Sequence, residues 1–94
     1  MAQQITNVIF HRLFKKSYKK RIKPNSQLVE KFTDRYQLFI ENRDSSTLKD
    51  HKLTGDLVGF RSFSITGDIR VVYRLNSPST AEFIDVGTHN QVYR

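Results

Sequence analysis

Five side chains in this sequence have the chemistry to move protons or steady a phosphate: His51, His89, Asp68, Arg70 and Tyr93. Histidine titrates near pH 6.5 when unperturbed, so His51 and His89 suit a general acid or base. Arg70 offers a fixed charge and a planar fork of donors for an anion. On residue type alone the five differ in weight. His89 follows Gly87-Thr88 beyond the last apolar run, where it has no core role to fill. His51 lies in a polar stretch and reads as a plain exposed histidine as readily as a catalytic one. Asp68 follows Gly67, and aspartate is a common turn residue in its own right. Tyr93 reads equally as a ring packed on a sheet. His11, His51 and His89 are enough in number for zinc, but no close His, Asp or Glu spacing supports a metal site, and there is no cysteine to supply a thiolate. The expectation is therefore no metal and no cofactor.

The charge points to the substrate class. The net charge of +7 sits entirely on one short segment. Arg12, Lys15, Lys16, Lys19, Lys20, Arg21 and Lys23 follow one another without an acid, and the rest of the chain is balanced. A solvated helix face ordinarily mixes signs. Seven like charges attract a polyanion such as nucleic acid, or an acidic protein.

These residues need elements to place them. With 94 residues the chain makes one domain, spanning 1–94, with room for one helical layer on one sheet. Ile5 to Phe10 suits a first strand. Phe10, Leu13, Phe14, Tyr18 and Ile22 then recur at helical spacing, with the basic cluster on the other side. Pro24 ends that helix, and Asn25 or Ser26 caps the next, whose stripe is Leu28, Phe32, Tyr36, Phe39 and Ile40. Asn42 to Gly59 reads as a long loop. Three strands follow at Phe60–Ile65, Ile69–Leu75 and Ala81–Val86. The order β-α-α-β-β-β predicts an α+β fold, a helical hairpin on one face of a small, mainly antiparallel sheet. Alternation puts Phe63, Ile65, Ile69, Val71, Tyr73 and Leu75 toward the helices. It leaves Ser62, Ser64, Arg70 and Arg74 on an open face suited to phosphate contacts, although a plain solvated face is as good a reading for Ser62 and Arg74. In the last strand Phe83 and Ile84 are both apolar, so its inward face is ambiguous. No stretch approaches the ~20 apolar residues of a membrane span, and Met1-Ala2-Gln3-Gln4 does not resemble the start of a signal peptide. The expectation is a cytoplasmic protein.

Two short segments carry a family resemblance. One is Leu48-Lys49-Asp50-His51-Lys52-Leu53-Thr54-Gly55, continuing to Gly59-Phe60-Arg61; the other is Gly87-Thr88-His89-Asn90-Gln91-Val92-Tyr93. Together they resemble the RelE superfamily of bacterial toxins, and within it the YafQ-like branch. The likeness runs from about Phe10 to Tyr93. It implies a toxin of a type II toxin-antitoxin system, an endoribonuclease that cuts messenger RNA on the ribosome without a metal. In that reaction a ribose 2′-hydroxyl attacks the adjacent phosphate and the 5′-oxygen leaves. It needs a base, an acid and cations around the phosphorane.

Carried over by position, the resemblance makes His51, Asp68 and His89 catalytic, with Tyr93 where the branch has phenylalanine. Ser64 stands where the branch has another histidine, and serine cannot serve as acid or base at neutral pH. Arg70 matches an arginine that YoeB-like members place near the scissile phosphate. The RNA-binding set is then Arg12, Lys15, Lys16, Lys19, Lys20, Arg21, Lys23, Arg61, Ser64 and Arg74. The implied partners are messenger RNA, the ribosome and a cognate acidic antitoxin, through which any higher assembly would form. Two alternatives stay open: a ParE-like toxin acting on DNA gyrase, and a catalytically inactive RNA- or protein-binding relative.

Overall fold

The computed structural model describes residues 4–93, so Met1, Ala2 and Gln3 of the N-terminal stretch lie outside it. The chain runs β1 (Asn7–Phe10), α1 (Arg12–Arg21), α2 (Ser26–Glu41), β2 (His51–Lys52), a 3-10 turn (Gly55–Leu57), β3 (Arg61–Ser64), β4 (Ile69–Ser77), β5 (Thr80–Thr88) and α3 (His89–Val92). The five strands form one sheet in the order β1-β5-β4-β3-β2. Only β1 is parallel to its neighbour, β5. This is the α+β architecture expected, with β2 and α3 added.

Local chemistry sets the helix ends. His11 caps α1: its Nδ1 accepts from the Leu13 N–H at 3.0 Å. Lys19, Lys20 and Arg21 fill the last turn, where cations complement the helix dipole. Asn25, rather than Ser26, caps α2, accepting from the N–H groups of Gln27 and Leu28.

Both helices pack on one face of the sheet. The core joins Phe14, Ile22, Phe32 and Phe39 of the helical layer to Phe63, Ile65, Val71, Tyr73, Ala81, Phe83 and Val86 of the sheet. Phe83 is its hub. A register shift between Val72 and Tyr73 pairs Val72 with Asp85 and Tyr73 with Phe83, leaving Ile84 as the extra residue of a bulge. The bulge settles the ambiguity of that strand by turning Phe83 inward.

Contrary to expectation, the other sheet face is closed at its two serines, while Arg74 stays exposed. Ser62 is fully buried and Ser64 is 6 % exposed. The cover is α3, too short to show a periodicity, which brings the Tyr93 hydroxyl 2.6 Å from Ser62 Oγ. Val72 and Val92 are buried as well, outside the main core cluster.

Candidate active site

Two sequence motifs meet at one end of the sheet. His51 is not in a loop, as expected, but in β2, paired with Ser62. Ser62 pairs in turn with Val72, and Val72 with Asp85. His51 and His89, one from each motif, line one cleft of about 400 Å³ together with Leu53, Thr54, Asp56, Leu57 and Tyr93. Both histidines are exposed. The His89 ring stands edge-to-face on Tyr93, centroids 4.5 Å apart. Tyr93 is fixed by its bond to Ser62, so the hydroxyl that distinguishes it from phenylalanine anchors the ring that orients His89.

The Gly-Thr-His segment has a local physical logic. Thr88 caps α3 in a capping box with Gln91, each side chain meeting the other residue's backbone N–H. That makes His89 the first residue of a fixed turn. A Cβ on Gly87 would lie 2.6 Å from Gln91 Oε1 and 2.8 Å from Arg21 Nη1. Gly87→Ala is therefore expected to displace Gln91 or Arg21, open the capping box and move His89. Misplacement on the scale of an ångström costs about 10²-fold in rate. The check is cleavage or toxicity of a variant whose circular dichroism is unchanged. Unimpaired activity would show that the turn has slack.

The other predicted residues divide. Ile69 pairs with Thr88, so Asp68 and His89 each stand one residue past the same end of the β4-β5 ladder. Thr66 Oγ1 accepts from the Asp68 and Ile69 N–H groups and shapes the turn. The Asp68 carboxylate makes no hydrogen bond or ion pair among the described residues. Arg70 lies on the face beneath α3, opposite Gly87, and does not line the cleft. It donates to Ser64 Oγ at 3.4 Å, while its buried Nε meets no acceptor among the described residues. Ser64 is thus a buried partner of Arg70 rather than an exposed RNA contact.

Three arginines of the predicted RNA surface have protein partners instead. Arg74 binds Glu82 through Nε and Nη2, at 2.9 and 2.8 Å. This bond is the main reason the Glu82 carboxyl is held below its ordinary pKa. Arg21 reaches the β5 edge, 2.9 Å from the Val86 carbonyl and 3.4 Å from Asp85. Arg61 ion-pairs with Asp50 at 2.8 Å and touches the Tyr73 hydroxyl. Arg12, Lys15, Lys16, Lys19, Lys20 and Lys23 are exposed. Through Arg21 the end of this basic helix meets the Gly87 turn that leads into His89.

Sequence reasoning missed Asp50 and Arg43, and it did not foresee the hydroxyl contacts of Tyr73 and Ser62. The Tyr73 hydroxyl donates to Asp50; burial, then that bond, raises the phenol's pKa well above its ordinary value. The only signal for Asp50 was an acid lying between Lys49 and His51 in a quoted motif. Among the described residues no three His, Cys, Asp or Glu side chains gather as a metal-binding group. Nor is any described helix long and apolar enough to cross a membrane.

This fold is shared with bacterial toxins. The crystal structure of YafQ from E. coli matches with a TM-score of 0.79 over 98 % of this chain and 100 % of that one, at 21 % identity. A YoeB/ParE toxin from Agrobacterium tumefaciens gives 0.74 over 89 % and 99 %, at 25 % identity. An E. coli DinJ-YafQ complex gives 0.77 over 98 % and 100 %, at 23 %. A search among curated proteins gives no match. The architecture is that of the RelE-type toxins. The family model described as the YafQ bacterial toxin of type II toxin-antitoxin systems matches residues 6–94, and the chain belongs to that family.

Proposed function

We propose that this toxin is an endoribonuclease that cleaves messenger RNA on the ribosome by metal-independent acid-base chemistry. The observation that carries the reading is the shared cleft of His51 and His89, two imidazoles facing one space fit for a nucleotide. His51 Nδ1 lies 2.8 Å from the Lys49 carbonyl, which leaves Nε2 of the neutral ring to accept the 2′-hydroxyl proton. His89 then protonates the departing 5′-oxygen. Attack forms a bond from the 2′-oxygen to phosphorus, the bond to the 5′-oxygen breaks, and a 2′,3′-cyclic phosphate results. Arg70 and Asp68 do not line the cleft; they lie near the end of the β4-β5 ladder that leads into His89. Arg70 supplies positive potential from beneath α3. A cognate acidic antitoxin restrains the toxin, as the DinJ-YafQ complex of the E. coli relative suggests.

The test is pulse labelling after induction of the toxin alone in bacteria. Protein synthesis should stop first, with messages cut. Failure of DNA synthesis first, with messages intact, would favour a gyrase-directed toxin. Binding without cutting would favour an inactive relative.

The exposed lysines of α1 should supply the non-specific affinity for RNA. Each phosphate they neutralise adds about −0.7 to the slope of log affinity against log salt for a single strand. Changing Lys15, Lys16, Lys19 and Lys20 to glutamine should flatten that slope by about two to three units. An unchanged slope would assign the cluster to a protein partner.

A further inference from the structure

Asp50 is the one acid of the Lys49-Asp50-His51 run, and it turns inward. Its side chain is only 5 % exposed. Oδ1 accepts from Arg61 Nε and Nη2, both at 2.8 Å, and Arg43 Nη1 stands 3.8 Å away. Oδ2 accepts from the Tyr73 hydroxyl. Arg61 and Tyr73 are cross-strand partners on β3 and β4, so this clamp is built on the sheet. Leu48 is anchored too: it is fully buried, and its carbonyl accepts from the Ser64 N–H at 2.7 Å.

Between these two anchors Lys49 is exposed, with φ at +51°. Residues other than glycine seldom adopt that left-handed conformation, and it persists where the surroundings over-determine it. The turn aims the Lys49 carbonyl at His51 Nδ1, 2.8 Å away. A carbonyl only accepts, so the ring keeps its proton on Nδ1 and its lone pair on Nε2.

We propose that Asp50 is a positioning residue: clamped by Arg61 and Tyr73, it holds the left-handed turn at Lys49 whose carbonyl fixes His51 as the Nδ1–H tautomer. The catalytic value of the free Nε2 rests on the nuclease reading given above; the tautomer itself does not. Asp50→Asn keeps the volume but removes the charge that faces two guanidinium groups and sets an amide donor among donors. The 48–51 segment then loses its second anchor, the Lys49 carbonyl swings away, and nothing keeps the proton on Nδ1.

The experiment reads the ring nitrogens of His51 by long-range proton–nitrogen correlation in the 15N-labelled chain. It is paired with kcat and KM for cutting a synthetic message on programmed ribosomes. The unaltered protein should show His51 with the proton on Nδ1. Asp50→Asn should lose that preference and about 10²-fold in kcat, with KM little changed. Lys49→Val and Lys49→Gly give an independent pair, since both remove the same exposed charge. Valine resists a positive φ and glycine accepts it. Valine should release the tautomer and glycine keep it, and this pair decides the matter if Asp50→Asn does not fold. A folded Asp50→Asn that keeps the Nδ1 proton, or valine and glycine variants that behave alike, would overturn the proposal. If the unaltered protein cuts no message, the nuclease reading fails. The ring nitrogens then decide the positioning role alone.

Discussion

Replacing His89 with glutamine is expected to abolish toxicity while leaving the fold intact. The imidazole is exposed, and the capping box that builds its turn uses Thr88 and Gln91, not His89. The Tyr93 N–H bonds the His89 carbonyl at 3.0 Å, a contact that any residue at position 89 can make. Glutamine keeps comparable length and hydrogen-bonding capacity but cannot transfer a proton near neutral pH. Loss of a positioned acid or base typically costs 10²–10⁴-fold. Cleavage should fall by about that factor, with ribosome binding and thermal stability unchanged. A variant that cuts message at the ordinary rate would remove His89 from the chemistry and leave His51 to be tested next.

Phe83→Ala should be the most damaging single change to stability. The ring is fully buried. It meets six others: Phe10, Phe14, Tyr36, Phe39, Phe63 and Tyr73, at centroid distances of 5.4 to 6.2 Å. Burying such a ring and then deleting it costs about 3–5 kcal/mol, transfer and cavity together. A domain of this size is stable by roughly 5–14 kcal/mol in all. The melting temperature should fall by at least about 12 °C, at some 4–8 °C per kcal/mol for small domains. A much smaller fall would mean that the neighbouring rings close the cavity, or that the bulge lets Ile84 slip into the vacated site.

What the sequence made legible follows from length and period. α1 and α2 each present an apolar stripe over several turns, and β3, β4 and β5 are long enough to alternate. Their order and the helix-facing set Phe63, Ile65, Val71 and Tyr73 were readable for that reason. β2 is two residues long and α3 four, too short for either period to declare itself. Ser62 and Ser64 therefore looked like an open polar face, because the group that covers Ser62 is Tyr93, 31 residues away in sequence. Arg61, Arg74 and Arg21 looked free for RNA because no spacing rule links them to Asp50, Glu82 and Asp85. His51 and His89 were recognisable only through their flanking residues. Nothing in composition foretells that a two-residue strand and a capping box bring them to one cleft.

The pairing of β1 with β5 also governs how the molecule comes into being. The Thr6 N–H bonds the Ser79 carbonyl, and Asn7 lies beside Thr80, so the first strand waits for a partner made more than seventy residues later. Such distant pairings fold slowly, because the loop must be closed before the contacts reward it. During synthesis the helical hairpin can emerge and collapse early, but the sheet has no centre until β5 has left the exit tunnel. His51 is translated long before His89 and stays without its opposite number until then. A growing chain therefore carries β1 and the lysines of α1 before it can harbour a complete cleft. On the nuclease reading proposed above, no working cleft can form until β5 and α3 are both complete.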